Sequence, residues 1–214
     1  MAMKRSPVNE KIAAISLSES TIAYYNSVAE QFWAGTQDHD VDENRKALIE
    51  YMPGAPPHDI LDFGCGPGRD LLAFRELGHR VVGLDGSERF VAMAAAYSEC
   101  EVWHQDFLSL RLPEGRFDGV FANASLFHIP SRRLPQILKV LYDALRPQGI
   151  LFCSNPRGND EEGVFEQRYG VYYSYETWTT LLVDARFTEV RHYYRPPNKP
   201  RDQQRWLASV WRKH

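Results

Sequence analysis

The chain has 214 residues, which suits one domain with a small appendage and allows burial of roughly 70% of the surface that the unfolded form exposes. Hydrophobic residues make up 43%, charged residues 25% and aromatics 13%, which excludes disorder as the main state. A formal charge of −3 supplies no basic footprint for nucleic acid. Cys65, Cys100 and Cys153 form no C-x-x-C pair, and three is the wrong count for a disulfide framework or a zinc cluster. They read as reduced thiols of a cytoplasmic protein. No run approaches 18 apolar residues and the start lacks a signal-type apolar core, so neither a membrane span nor a leader is expected.

In chain order, residues 1–15 read as a flexible tail. Ser16-Leu17-Ser18-Glu19 has the form of a capping box opening a helix, behind which Ile22, Tyr25, Ala29, Phe32 and Trp33 recur at helical spacing. A second helix from Asp42 places Arg45, Leu48, Ile49 and Met52 on one face and stops at Pro53-Gly54, completing a helical lid over 16–54.

From 55 to 214 the pattern is a core of alternating strands and helices. Strands are expected at Ile60–Phe63, Val81–Leu84, Val102-Trp103, Phe117–Phe121 and Ile150–Cys153. Helices are expected at Arg69–Leu77, at Glu88–Tyr97 and after Ser131, which reads as a cap for Leu134, Ile137, Leu138, Leu141 and Leu145. Ser174 caps a further helix carrying Trp178, Leu181 and Leu182. Strands at Phe187–Tyr194 and Trp206–Trp211 flank RPPNKPRDQQR, a proline-rich connection without a helical pattern. The alternation predicts a single α/β domain with a mainly parallel sheet covered on both faces. Two strands joined without a helix must pair antiparallel or lie apart.

ILDFGCGPGRD, residues 60–70, is the sharpest motif. Gly64, Gly66 and Gly68 lie between a strand and a helix, where glycines permit a tight turn and close approach of a ligand to the main chain. Asp62 and Asp70 flank them, and the helix start aims amide donors at an anion or nucleotide. The spacing is G-x-G-x-G, not the G-x-G-x-x-G of NAD enzymes, which opposes a dehydrogenase. Asp85, followed by Gly86, ends the second strand 17 residues after Gly68, where a carboxylate can accept both hydroxyls of a ribose; a plain strand-end turn is the competing reading. Asp106 and Phe107 follow the third strand, where an adenine amino group and ring would find an acceptor and a wall, or where an ordinary loop acid would sit.

DFGCGPG, GLD, QDF and FANASLFH together resemble the motif series of class I S-adenosylmethionine-dependent methyltransferases over nearly the whole chain. The resemblance implies a Rossmann-like sheet of order 3-2-1-4-5-7-6 with strand seven antiparallel. It implies that Gly64, Gly66, Gly68 and Asn123 face the cofactor, that Asp85 and Gly86 hold its ribose, and that Asp106 and Phe107 hold adenine. Tyr25 and Thr36 match lid residues that line the cofactor site, and Arg69 matches a position that reaches the cofactor carboxylate. The cofactor would leave as S-adenosylhomocysteine. The D/N-P-P-Y/F motif of exocyclic base methylation is absent after the fourth strand, so a small molecule is the expected substrate.

SNPRG, HYYRPP and WLASVWR, with YYN and FW-x-GT-x-DHDV near the start, are similar to the C-terminal methyltransferase domain of ovothiol-synthesising enzymes. That resemblance implies N-methylation of the imidazole ring of 5-thiohistidine, with the sulfur supplied by a separate iron-dependent enzyme. Ala185-Arg186-Phe187 departs from the family's Ala-Gly-Phe turn, and a local change of backbone is expected there. On this reading Arg157 grips the substrate carboxylate and Asn155 offers a donor and an acceptor. Phe127, Tyr169, Tyr173 and Tyr194, with Tyr172 and Tyr193 nearby, supply walls and hydroxyls. His128 is the candidate base or imidazole-orienting group, with Asn155 beside it as a candidate catalytic residue. Methylation of another small thiol, selenol or amine, and a non-catalytic cofactor-binding module, are the competing readings.

Overall fold

A computed structural model describes residues 7–214, with side chains described from residue 14. Helices α1 (Pro7–Ser27), α2 (Ala29–Thr36) and α3 (Asp42–Tyr51) form the lid. The helical start lies at Pro7, so residues 7–15 continue α1 rather than forming a tail; residues 1–6 lie outside the described residues. Proline is well tolerated at a first helical position, where its missing N–H has no intrahelical use. Ser16–Glu19 lies inside α1 and opens nothing. Within this stretch Ser18 donates to Asp106 Oδ1 at 2.9 Å.

The core follows as β1 (Asp59–Phe63), α4 (Arg69–Glu76), β2 (Arg80–Asp85), α5 (Glu88–Ser98), β3 (Glu101–His104), β4 (Phe117–Asn123), α6 (Leu134–Ala144) and β5 (Leu145–Pro156). A hairpin, β6 (Glu161–Phe165) and β7 (Arg168–Tyr172), precedes α7 (Tyr175–Asp184), β8 (Phe187–Arg195) and β9 (Trp206–Lys213). The main sheet has the order β3-β2-β1-β4-β5-β9-β8, parallel except for β9, which runs antiparallel to both neighbours. This is the expected order, renumbered because the hairpin inserts before the last two strands. The connection from β8 to β9 holds one 3₁₀ turn, Arg201–Gln203, and no α-helix.

Alternation along the strands feeds two apolar layers. Leu61, Leu151 and Trp211 face one layer with Leu138 and Leu141 of α6. Ile60, Phe152 and Val210 face the other with Leu48 of α3 and Phe74 of α4. Ser174 caps α7 by accepting from Thr177 N at 3.2 Å. Ser131 does not cap α6, whose N-cap position is Arg133; its hydroxyl donates to Glu162 Oε2 at 2.6 Å. The turn from α7 to β8 keeps a left-handed residue, Arg186 at φ 70°, so the backbone is retained where a local change was expected. All three cysteines are free, and among the described residues no helix is long and apolar enough to cross a membrane.

Candidate active site

The parallel strands β1 to β5 end at one edge of the sheet, and residues at or after their ends surround a cavity of about 850 Å³ roofed by α1 and α2. The glycine loop is stitched to the end of β2, since Gly64 N and Cys65 N both donate to Leu84 O, at 2.8 and 3.1 Å. Gly64 adopts φ 77°, and a Cβ there would run into the Ser125 side chain. Gly68 adopts φ 100°, and a Cβ there would come within 2.8 Å of Ala94 Cα. Gly68 therefore seats the start of α4 against α5 and lies outside the cavity lining, whereas Gly64 and Gly66 line it.

Asp85 is almost fully enclosed at the cavity floor. Its Oδ2 accepts from Gly66 N at 3.0 Å and its Oδ1 from Ser87 N at 2.8 Å. Each oxygen keeps a further lone pair. Burial outweighs these bonds and raises its pKa to about 6. Asp62 is also buried, and its Oδ2 has no hydrogen-bond partner among the described residues. Burial, reinforced by Asp70, pushes its pKa well above the usual carboxylate range.

Tyr25, Thr36, Gly86, Phe107 and Asn123 also line the cavity. Phe107 stacks on Phe63 with ring centroids 4.3 Å apart. Asn123 Oδ1 accepts from Asn44 Nδ2 at 3.0 Å, and Asn44 Oδ1 accepts from Tyr193 Oη at 2.8 Å, tying α3 to β4 and β8. Asp106 is not brought to the cavity. Its Oδ1 accepts from Leu108 N and from Ser18, so it caps a 3₁₀ turn and tethers α1. Arg69 reaches the cavity but is held by Thr36 O at 2.9 Å and Asp70 Oδ2 at 2.7 Å.

Phe127 and His128 border the remaining volume. His128 Nδ1 lies 2.6 Å from Tyr169 O, and a carbonyl only accepts, so the proton sits on Nδ1. Nε2 then accepts from Tyr25 Oη at 2.9 Å. Burial, the largest influence, lowers the His128 pKa to about 4. The imidazole is neutral at physiological pH and its one lone pair is occupied, an arrangement that orients neighbours and is poorly suited to a general base.

The other sequence-read substrate residues do not meet at the cavity. Arg157 Nη1 donates to the carbonyls of Arg201 and Gln204 at 3.0 and 3.1 Å, and its guanidinium lies 5.6 Å from the Tyr194 ring centre. A carboxylate clamp is thus replaced by a brace for the β8–β9 connection. Tyr169, Tyr173, Tyr194 and Asn155 lie outside the lining; Tyr169 contributes its carbonyl to His128 and its hydroxyl to Glu162. Asn155 is buried, and neither of its side-chain polar atoms is bonded among the described residues. Tyr172 stacks on Phe165 at 4.3 Å. In their place the cavity receives Asn44, Arg168, Arg195 and Trp206, with Asp38 and Asp40 from the lid. Asp38 and Asp40 fall in DHDV, Arg195 in HYYRPP and Trp206 at the start of WLASVWR, so those stretches carried a signal, whereas Asn44 in α3 and Arg168 in the hairpin lie in no motif.

Residues 60–149 match the family model of a methyltransferase domain. Over 127 residues the chain is 34% identical to trans-aconitate 2-methyltransferase of Azoarcus sp. (strain BH72), covering 56% of this chain and 49% of that protein. The chain spans about half the length of the curated relatives it matches first. Residues 60–149 are thus similar to a methyltransferase domain.

Two solved structures show that the likeness of fold extends beyond the matched residues. Burkholderia thailandensis 1,6-didemethyltoxoflavin-N1-methyltransferase, with bound 1,6-didemethyltoxoflavin and S-adenosylhomocysteine, has a TM-score of 0.73 at 23% identity, covering all of this chain and 93% of that one. The (4+2)-cyclase SpnF has a TM-score of 0.72 at 17% identity, covering 92% and 96%. One fold thus serves different chemistries, and the reaction must be argued from side chains.

The toxoflavin-pathway neighbour binds S-adenosylhomocysteine, and the residues present in this chain would fit the parent cofactor, S-adenosylmethionine. The unpartnered, buried Asp62 Oδ2 suits an ammonium group, the remaining lone pairs of Asp85 suit a ribose diol, and the side-chain-free Gly64 and Gly66 leave the loop open to close approach.

Proposed function

We propose that the chain transfers the methyl group of S-adenosylmethionine to an imidazole nitrogen of 5-thiohistidine, the last step of ovothiol A formation. The observation that carries this reading is the mixed charge of the cavity: carboxylates at Asp38 and Asp40, guanidinium groups at Arg168 and Arg195. A zwitterionic amino acid meets both signs. A tricarboxylate such as trans-aconitate meets like charge at the lid, which costs affinity. The SNPRG and HYYRPP resemblance points the same way.

The cofactor, when bound, supplies a methyl group already activated by its sulfonium. The protein's task is then alignment, which in favourable cases is worth roughly 7–11 kcal/mol. His128 stays neutral and holds Tyr25, and Phe127 and Trp206 wall the volume beside them. No strong base is needed, because a neutral imidazole nitrogen arrives with a free lone pair. A separate iron-dependent sulfur-inserting enzyme would supply the thiolated substrate.

The test is turnover with labelled cofactor and 5-thiohistidine, histidine or trans-aconitate, with products assigned by mass and NMR. The expected result is a ring N-methyl product from 5-thiohistidine, with kcat/KM for histidine lower by roughly a hundredfold because the site's partners for sulfur go unsatisfied. Methylation on sulfur, or turnover of trans-aconitate alone, contradicts the substrate assignment.

A further inference from the structure

Three arginines border the cavity, and two of them are committed. Arg69 is held by Asp70, whose side chain is only 8% exposed, and by Thr36 O. Arg195 is held by Glu43 Oε2 at 3.1 Å, Asn44 Oδ1 at 3.3 Å and Asp40 O at 2.9 Å. Arg168 differs. Among the described residues its one ion pair is with Glu166 at 2.8 Å, and that carboxylate is 83% exposed. Its Nε is buried and makes no hydrogen bond among the described residues.

The position of Arg168 is fixed. It is the first residue after the two-residue turn Glu166-Gln167, where φ is 47° and 67°. Such left-handed pairs close hairpins but favour Asn-Gly, so this turn holds two unfavourable residues. One of them, Glu166, is the arginine's partner. The hairpin is docked on α1 by Tyr169 N donating to Thr21 Oγ1 at 3.0 Å, and on the cavity wall by Tyr169 O accepting from His128. The guanidinium lies 5.5 Å from the Tyr24 ring centre and 6.0 Å from that of Tyr25, whose hydroxyl bonds His128.

We infer that Arg168 is the specificity-determining residue that binds the substrate's carboxylate, and that Glu166 is a built-in competitor which the substrate displaces. This rests on the amino-acid reading above. An exposed pair binds weakly and is readily exchanged. A carboxylate from the substrate gains two parallel N–H bonds, including the one that Nε does not make in this structure.

The experiment measures kcat/KM for 5-thiohistidine and for its methyl ester in the wild-type protein, Arg168→Gln, Arg168→Lys and Glu166→Gln, with S-adenosylhomocysteine affinity as the control. Arg168→Gln should lower kcat/KM for the acid roughly ten- to hundredfold and abolish the preference for acid over ester. Arg168→Lys should restore part of that preference. Glu166→Gln should improve kcat/KM for the acid by roughly two- to fivefold, a gain that a merely structural role would not give. Cofactor affinity should stay level in all three. An unchanged acid-to-ester ratio in Arg168→Gln, or equal loss with both compounds, overturns the inference while the methyltransferase reading stands. Absence of wild-type turnover of 5-thiohistidine overturns the substrate reading and the inference with it.

Discussion

Asp85 is a carboxylate that the folded chain holds at a cost. Its pKa of about 6 lies above the value near 3.9 of an unfolded aspartate, so between about pH 4 and 6 the folded state carries a proton that the unfolded state has lost. Stability therefore falls as pH rises through that window, by about 3 kcal/mol in all. Ribose hydroxyls donating to the ionised form would reverse the preference in the complex. Asp85→Asn should accordingly flatten the fall in stability between pH 4 and 6 and weaken S-adenosylhomocysteine binding by about 1–3 kcal/mol. Wild-type affinity should also weaken as pH drops below about 6, and that step should flatten in the variant. Calorimetric titrations from pH 5 to 8 with both proteins check this. The residue scale is also where sequence reading erred most. Arg157 sits in SNPRG beside the right strand end, but its side chain folds back onto the carbonyls of Arg201 and Gln204, contacts set 44 and 47 residues away.

Elements were legible wherever a period or a breaker was strong. The lid helix at Asp42–Tyr51, the five strands from β1 to β5 and the cap at Ser174 followed from apolar spacing and turn residues. The β6–β7 hairpin did not, because Glu166-Gln167 lacks the glycine or asparagine that announces a left-handed turn. Ser16 and Ser131 imitated caps, but Ser16 lies inside α1 and Ser131 bonds Glu162, a partner that only the tertiary fold supplies. Arg186 is the informative departure: left-handed backbone survives without glycine. A non-glycine residue there costs roughly 1–2 kcal/mol, and glycine would return roughly 0.4–1 kcal/mol of that through unfolded-chain entropy. Arg186→Gly should stabilise the protein by about 0.5–1 kcal/mol, seen as a rise of roughly 1–4 °C in the thermal midpoint with turnover unchanged. A lower midpoint would show that the arginine side chain makes a compensating contact.

At the scale of the whole molecule, seven strands set where ligands can approach, and the lid decides what they meet. Ser18, Thr21 and Asn44 reach from the lid to Asp106, the hairpin and Asn123, and Ser87 donates to Asn26 at 2.7 Å. Glycine loop and strand-end acids stood out in the sequence because the sheet's edge fixes their spacing. The substrate half was harder to read because its residues arrive from α2, α3, the hairpin and the last two strands, and only the fold brings them together. The most direct test of the central claim is calorimetric binding of 5-thiohistidine to the protein loaded with S-adenosylhomocysteine, with histidine and trans-aconitate as comparisons. The account predicts saturable one-to-one binding of 5-thiohistidine, weaker by roughly tenfold or more for histidine, which lacks the sulfur. Binding of trans-aconitate without binding of 5-thiohistidine would contradict it.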